Sequence, residues 1–279
     1  MTASSTKPVT TEGQSAGPSP PQVAFTERKV YLIALVFFAI SAGLTIYFNQ
    51  AMSAGMPMPG NWTMSMMWMT MPGETRFTSS LWFVAMWTAM MIAMMLPSTL
   101  PMLLLYRRAA AFRGEAHPGR ATFLVGSSYF LVWILFGIVA FAAGLAIAQG
   151  AMRSDRFSRL VPFAGGIGLC VAGIYQLTPW KSACLKHCRD PLTIVAHHLP
   201  RGWLGALLLG IHHGGFCVAC CWALMLMQFV LGVMNLWVMI ALAVVIALEK
   251  LLVRGEFVAR LTGAAAVLGG AVVAVRSVM

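Results

Sequence analysis

The segment WLGALLLGIHHGGFCVACCWALMLMQFV, residues 203–230, contains no Asp, Glu, Lys or Arg. A run of about 20 apolar residues is long enough to cross the hydrocarbon core of a bilayer as an α-helix. The segment therefore predicts a membrane-spanning helix. Its second half is unusual for such a helix, because residues His212 to Met227 include two histidines, three cysteines and two methionines.

Further segments have the length and composition of membrane spans. The chain of 279 residues is 59% hydrophobic and only 10% charged, whereas soluble domains carry about 25% charged residues. We therefore predict an all-α, polytopic transmembrane helix bundle with about seven spans. The other six candidates are Val30–Phe48, Leu81–Tyr106, Thr122–Gly150, Leu160–Thr178, Met234–Glu249 and Phe257–Val275.

The ends of the chain differ in composition from its middle. Residues 1–26 are rich in Ser, Thr, Pro and Gly, which predicts a disordered cytoplasmic tail without a signal peptide. Residues 27–279 form the predicted transmembrane domain, in which residues 49–80 are a methionine-rich outer loop. The last span reads LTGAAAVLGGAVVAV, residues 261–275, and such small residues favour close approach of two helices.

The basic residues predict the orientation. With the N-terminus inside and the C-terminus outside, fourteen of the 19 Lys and Arg residues lie on the inner side, as the positive-inside rule requires. The net charge of +11 is therefore explained by topology, and we expect no nucleic-acid partner. Glu249 and Lys250, at the end of a predicted span, indicate an interfacial ion pair or an element of a gate.

The segment 203–230 carries the first candidate metal ligands. Thiolates, imidazoles and thioethers bind soft metal ions. Steps of three or four residues place several of these side chains in one stripe of a helix, and His212 lies one step round from it. A structural histidine bonded to a neighbouring helix remains an alternative. The stripe comprises His213, Cys217, Cys220 or Cys221, and Met225.

A second candidate site lies at the predicted inner face, in WKSACLKHCRDP, residues 180–191. Cys184 and Cys188 are four residues apart, so a helix presents both on one face with His187 beside them. Neighbouring Lys181, Lys186 and Arg189 would favour the thiolate form. The alternative is a pair of inert cysteines among basic residues that fix the topology.

Methionines dominate the outer loop and the second span. Eight occur between Met52 and Met71, which suits capture of Cu(I) or Ag(I) outside the cell, or else an interfacial segment in contact with lipid. In the second span, Met86, Met90 and Met94 recur every four residues. We predict that Met90 and Met94 line a metal path, with adaptable core packing as the alternative.

Several motifs together resemble a known family. They are WTAMMIAMMLPSTLPM at residues 87–102, WKSACLKHCRDP, and HHGGFCVACCWALMLM followed by GVMN and Glu249–Lys250. In this combination the chain resembles the bacterial family of predicted metal-binding integral membrane proteins, whose domain has no established function. The resemblance covers roughly residues 80–255. It implies a multi-pass protein of the bacterial inner membrane with a metal site.

The first functional hypothesis is a soft-metal membrane protein, with Cu(I) favoured over zinc, for transport, handling or delivery rather than catalysis. Cu(I) would pass along Met90 and Met94 to the ligands on the segment 203–230. One helix presents only two or three ligands to a point, so the methionine face or the inner cysteine pair would complete the site. The ligands are Cys217, Cys220, Cys221 and His213, with His212, His187, Cys184 and Cys188 as further candidates.

Two other hypotheses remain open. A membrane thiol–disulfide oxidoreductase would exchange electrons between the pair Cys217 and Cys220 and the pair Cys184 and Cys188. A non-catalytic subunit of a membrane complex would dock through the small residues of the last span. For all three we expect the lipid bilayer as surroundings, and for the first a metal donor or acceptor protein. Oligomerisation fits each of them.

Overall fold

The computed structural model describes residues 20–52, 55–68, 75–190 and 202–279. Within these residues the chain forms helices and one short hairpin, so the predicted all-α class is confirmed. The helices are α1 Pro20–Met52, α2 Arg76–Phe112, α3 Pro118–Arg153, α4 Asp155–Leu177, α5 Pro179–Arg189, α6 Trp203–Gly232, α7 Leu236–Leu251 and α8 Gly255–Arg276.

Most of the described helices are suited to a membrane. Six are long and apolar enough to cross one, with spans at Arg28–Ala51, Phe77–Phe112, Pro118–Arg153, Asp155–Leu177, Trp203–Gly232 and Gly255–Arg276. The predicted span Met234–Glu249 corresponds to α7, which has 16 residues and is shorter than these six. The number of spans and their orientation therefore stay predictions.

Helix α1 begins at Pro20, inside the segment predicted as a tail, so the predicted boundary at residue 26 differs from the helix start. Residues 1–19 of that segment lie outside the described residues. The methionine-rich loop has a defined core, a hairpin of β1 Gly55–Met58 and β2 Trp62–Ser65. Trp62 Nε1 donates to the Ser158 carbonyl at 3.1 Å, which ties the hairpin to the start of α4.

The small residues of α8 pack against α4. A Cβ atom on Gly166 would lie 2.6 Å from the backbone nitrogen of Ala274, and one on Gly173 would lie 2.6 Å from the Gly263 carbonyl oxygen. Glycine is needed at both positions because the two backbones are in contact. The predicted close approach is confirmed, and this face of α8 is covered by α4 of the same chain.

A sharp turn between α4 and α5 positions the inner cysteines. Thr178 is extended, with φ −75° and ψ 152°, because proline at 179 disfavours helical backbone in the residue before it. The Thr178 side chain accepts a hydrogen bond from the Lys181 backbone nitrogen, and this caps α5. The chain turns here, and α5 packs against α6 and α7.

Candidate metal centre

Helix α6 directs its cysteines into the bundle. Close packing on α3 fixes its rotation, since a Cβ atom on Gly210 would lie 1.9 Å from Ser128 Oγ. The predicted stripe consequently faces the interior, and every member of it is buried. His213 is 4% exposed, and the remaining members, Cys217, Cys220, Cys221 and Met225, are fully buried.

The thiols form one continuous line, which we call the sulfur chain. The sulfur atoms of Cys220 and Cys221 are 3.4 Å apart. The thiols of Cys217 and Cys221 are close enough on one face of α6 to interact, and the thiol of Cys188 in α5 interacts with that of Cys220. The sulfur chain therefore runs through Cys217, Cys221, Cys220 and Cys188, and links two helices that are distant in sequence. Each of these cysteines is free of a disulfide.

A buried ion pair fastens α5 to the cysteine helix. Lys181 Nζ donates to the Cys220 carbonyl at 2.6 Å and to Glu249 Oε2 at 2.7 Å. Gln176 Nε2 donates to the other oxygen of Glu249 at 2.8 Å. The sequence predicts that Lys181 favours the thiolate form of the neighbouring cysteine pair, whereas in the structure its ammonium group pairs with Glu249. Lys181 is fully buried because its carboxylate partner lies inside the bundle.

Cys217 has two polar partners that determine its environment. Lys250 Nζ donates to Cys217 Sγ at 2.9 Å, and Tyr129 Oη lies 2.9 Å from the same sulfur. The predicted interfacial pair between Glu249 and Lys250 is therefore wrong. Successive residues of a helix point in different directions, so Glu249 meets α5 while Lys250 meets α6. The Glu249 side chain is buried inside the bundle, and the Lys250 side chain is half-buried.

The other basic residues near the inner cysteines have different roles. Lys186 is exposed and forms an ion pair with Glu256 at 3.6 Å, while Arg189 donates to the Leu252 carbonyl. Cys184 and Cys188 share a face of α5, and both pack against the buried core. The cation that touches a thiol in this region is thus Lys250, rather than the neighbours in sequence of the pair.

The three candidate histidines occupy two places. The rings of His187 and His212 are 5.4 Å apart, and His187 also stacks on Phe216 at 3.9 Å. Burial, reinforced by His212, lowers the pKa of His187 below its usual value. His213 is separate from this pair and lies beside Tyr129, with ring centroids 5.6 Å apart. Its Nδ1 atom is buried without a hydrogen-bond partner among the described residues.

The methionine face of α2 reaches the same interior. Met90 and Met94 are buried in one continuous core with the three cysteines of α6. Met67, two residues after the hairpin, and Met86 belong to that core as well. Met69 and Met71 of the predicted outer loop lie outside the described residues. Thioethers of α2 and of the segment after the hairpin therefore share one core with the cysteines of α6.

The arrangement differs from a closed tetrahedral zinc site. Among the described residues, no group of three or more His, Cys, Asp and Glu side chains is placed to hold a metal ion. Structural zinc requires four such ligands. Cu(I) is bound by soft sulfur ligands, and two thiolates are sufficient for a linear site. Neighbouring thiols such as those of Cys220 and Cys221, 3.4 Å apart, supply this number of ligands, and their sulfur atoms would have to separate to reach a linear arrangement.

Sequence reasoning missed Tyr129 and misplaced the two lysines. Tyr129 lies in an apolar stretch of α3 without any local pattern that sets it apart. Lys181 and Lys250 lie near helix ends, where basic residues usually indicate topology. These side chains contact the cysteine helix only through the fold. The contacting residues are 39 positions apart for Lys181 and Cys220, 33 for Lys250 and Cys217, and 88 for Tyr129 and Cys217.

The chain is similar to a known protein family. The family model described as PpoB2, copper chaperone, matches residues 84–273. The matched range includes all six cysteines and the methionine face of α2, and it excludes the outer hairpin. Searches of curated proteins and of solved structures find no match to the chain.

Proposed function

The chain belongs to the PpoB2 copper chaperone family, and from this premise we propose that it binds Cu(I) through the sulfur chain and delivers the ion to an acceptor protein. The observation that carries the proposal is the line of four thiols inside an apolar helical bundle. Thiolate and thioether ligands select soft ions such as Cu(I). A role in copper handling agrees with the family description.

The geometry favours a site with few ligands. Cys217 and Cys221 are four residues apart on α6, so both sulfur atoms can reach one ion between them. Cys220 and Cys188 offer an adjacent pair across two helices. Because neighbouring pairs of this kind lie side by side, an ion can move from one pair to the next while it keeps at least one sulfur ligand. A delivery protein needs such movement, whereas a structural metal site does not.

The proposal places the protein in the bacterial inner membrane as a multi-pass protein. Its support is the set of six long apolar helices, together with apolar side chains that are exposed along α1 and α3. The distribution of Lys and Arg favours the N-terminus inside and the C-terminus outside. The membrane would then separate the outer hairpin from α5.

The order of thioethers and thiols along the bundle suggests a route for the ion. Met67, Met86, Met90 and Met94 would guide the ion from the outer hairpin towards α6. Cys188 is half-buried, whereas the three cysteines of α6 are fully buried. Exchange with an acceptor protein requires an accessible sulfur, so α5 would be the place of release.

The oxidoreductase alternative has less support. Thiol–disulfide exchange needs a thiolate that can attack a partner sulfur. Cys217 and Cys220, the pair that this alternative requires, are both fully buried. Their contacts lead to Cys221 and Cys188 rather than to each other. The same contacts suit transfer of a metal ion between sulfur atoms.

Copper retention tests the proposal. Protein purified in detergent is loaded with Cu(I) without oxygen, washed with a weak chelator and analysed for metal. The wild type and Cys170→Ser should retain stoichiometric copper, because Cys170 lies against the Val267 carbonyl on the far side of α4 from the sulfur chain. Cys217→Ser/Cys221→Ser should lose it. Negligible copper in the wild type, or equal copper in all three, contradicts the proposal.

A further inference from the structure

Two lysines, Lys181 fully buried and Lys250 half-buried, flank the sulfur chain, and their charges are balanced differently. Lys181 has a carboxylate partner, Glu249, at 2.7 Å. Lys250 has no carboxylate partner in the part of the chain that the structure describes, and its ammonium group donates to Cys217 instead. An unbalanced charge inside an apolar bundle is costly, so the pairing calls for an explanation.

We propose that Lys250 balances the charge of the metal site and thereby restricts it to monovalent soft ions, Cu(I) and Ag(I), against divalent Zn(II) and Cd(II). This inference rests on the proposed function, since it concerns an ion held by the sulfur chain. It assigns to Lys250 a role in specificity through its contact with Cys217. Lys250 does not itself bind the ion.

The first argument is the net charge. Two thiolates with one monovalent ion carry a single negative charge, and the Lys250 ammonium brings the buried assembly to zero. With a divalent ion the same assembly is left with a positive charge. Because a net charge is poorly solvated in an apolar interior, the divalent complex is disfavoured. The ion pair of Lys181 and Glu249 is neutral and does not alter this balance.

The second argument is the position of the ammonium group. It contacts Cys217 Sγ at 2.9 Å, and Cys221, Cys220 and Tyr129 also act on it electrostatically. Any ion on these sulfur atoms is therefore close to a fixed positive charge. The repulsion between this charge and a divalent ion is twice that for a monovalent ion at the same place. The net charge of the site and the repulsion by the ammonium group thus both favour monovalent ions.

The backbone keeps the lysine in place. A Cβ atom on Gly255 would lie 1.9 Å from the Glu249 carbonyl oxygen, so the start of α8 is packed directly on the end of α7. Glu249, held by Lys181 and Gln176, fixes the rotation of the same turn. The backbone of Lys250 is thus held beside α6, with its side chain in reach of Cys217.

The test compares Ag(I) with Cd(II), two soft ions that are stable in air. Dissociation constants for both are measured on purified protein in detergent by competition with chromophoric chelators. Lys250→Met removes the charge and keeps the length of the side chain, Lys250→Arg keeps the charge, and exposed Lys186→Met is the matched control. We expect Lys250→Met to shift the ratio of the two constants towards Cd(II) by at least about tenfold. Lys250→Arg and Lys186→Met should keep the wild-type ratio.

The outcomes separate this inference from the proposed function. If Lys250 has only a structural role, its substitution should lower the affinity for Ag(I) and for Cd(II) by the same factor. An unchanged ratio of the two dissociation constants in Lys250→Met therefore overturns the inference, while the proposal of copper binding stands. A wild type that binds neither ion overturns both proposals. Lys250→Gln serves as a second neutral variant. A wild type that binds Cd(II) as tightly as Ag(I) also overturns the inference.

Discussion

The ammonium group of Lys250 lies 2.9 Å from the sulfur atom of Cys217, and the residue before it, Glu249, contacts Lys181 of α5. Two successive residues at the end of α7 therefore fasten two other helices. One of these contacts is a neutral ion pair, and the other places a positive charge on a thiol. The end of the bundle where α5 and α6 meet depends on this arrangement.

The first prediction concerns the buried ion pair. Lys181→Met leaves the Glu249 carboxylate buried without its counter-charge, so we expect the free energy of unfolding to fall by about 3–5 kcal/mol. Lys186→Met, which breaks an exposed pair with Glu256, should cost less than about 1 kcal/mol. Thermal or denaturant unfolding in detergent measures both. Equal effects of the two substitutions would show that the buried pair does not stabilise the fold.

The second prediction uses two glycines of α6. Gly210→Ala forces α3 away, because the new Cβ atom would meet Ser128 Oγ, and we expect a loss of about 1–3 kcal/mol in stability. Copper retention should fall as well, since Tyr129 and Cys217 would separate. At Gly215 nothing lies within 4 Å of an added Cβ atom, so Gly215→Ala should keep both properties. Full copper retention in Gly210→Ala would show that copper binding does not depend on the packing of α3 against α6.

The third prediction tests the thioether route. Met90→Leu/Met94→Leu nearly conserves the core volume, so each change should cost less than about 1.5 kcal/mol in stability. Loss of the sulfur atoms should slow Cu(I) loading by about tenfold, the scale on which outer partners of metal ligands act. Loading is followed by loss of colour from a Cu(I)–chelator complex. Met152→Leu, at an exposed position of α3, is the control, and equal rates in all proteins would refute the route.

The fourth prediction concerns pH. Burial and neighbouring His212 lower the pKa of His187, so the unfolded chain binds more protons than the folded one below the usual histidine pKa of about 6.5. Stability should therefore fall as the pH falls through this value. Unfolding midpoints at pH 7.5 and 5.5 (roughly one unit either side of it) should differ less in His187→Gln than in the wild type. If the shift of the unfolding midpoint between the two pH values is the same in His187→Gln and in the wild type, groups other than His187 cause the pH dependence.

Part of this structure could be predicted from hydropathy and helical spacing alone. The apolar runs indicated the long helices, and steps of three or four residues placed His213, Cys217 and Cys221 on one face. Proline at 179 and the spacing of Cys184 and Cys188 agreed with a short helix at α5. These predictions succeeded because local spacing determines which side chains share a helix face.

The contacts that define the site could not be predicted in this way. Lys181 and Lys250 lie near helix ends, where basic residues usually indicate membrane topology. Only the packing of α5 and α7 on α6 brings their long side chains into contact with the cysteine helix. Tyr129 has no local signal, because its role depends on how α3 lies against the glycines of α6. Long-range packing determines each of these contacts, whereas a single sequence records short-range spacing.

The copper K-edge X-ray absorption spectrum of Cu(I)-loaded protein shows directly which atoms bind the ion. We expect a first shell dominated by sulfur in the wild type. The shell should be lost or rebuilt with lighter atoms in Cys217→Ser/Cys221→Ser, and it should remain in Cys170→Ser. A wild-type first shell dominated by nitrogen or oxygen would contradict binding by the sulfur chain.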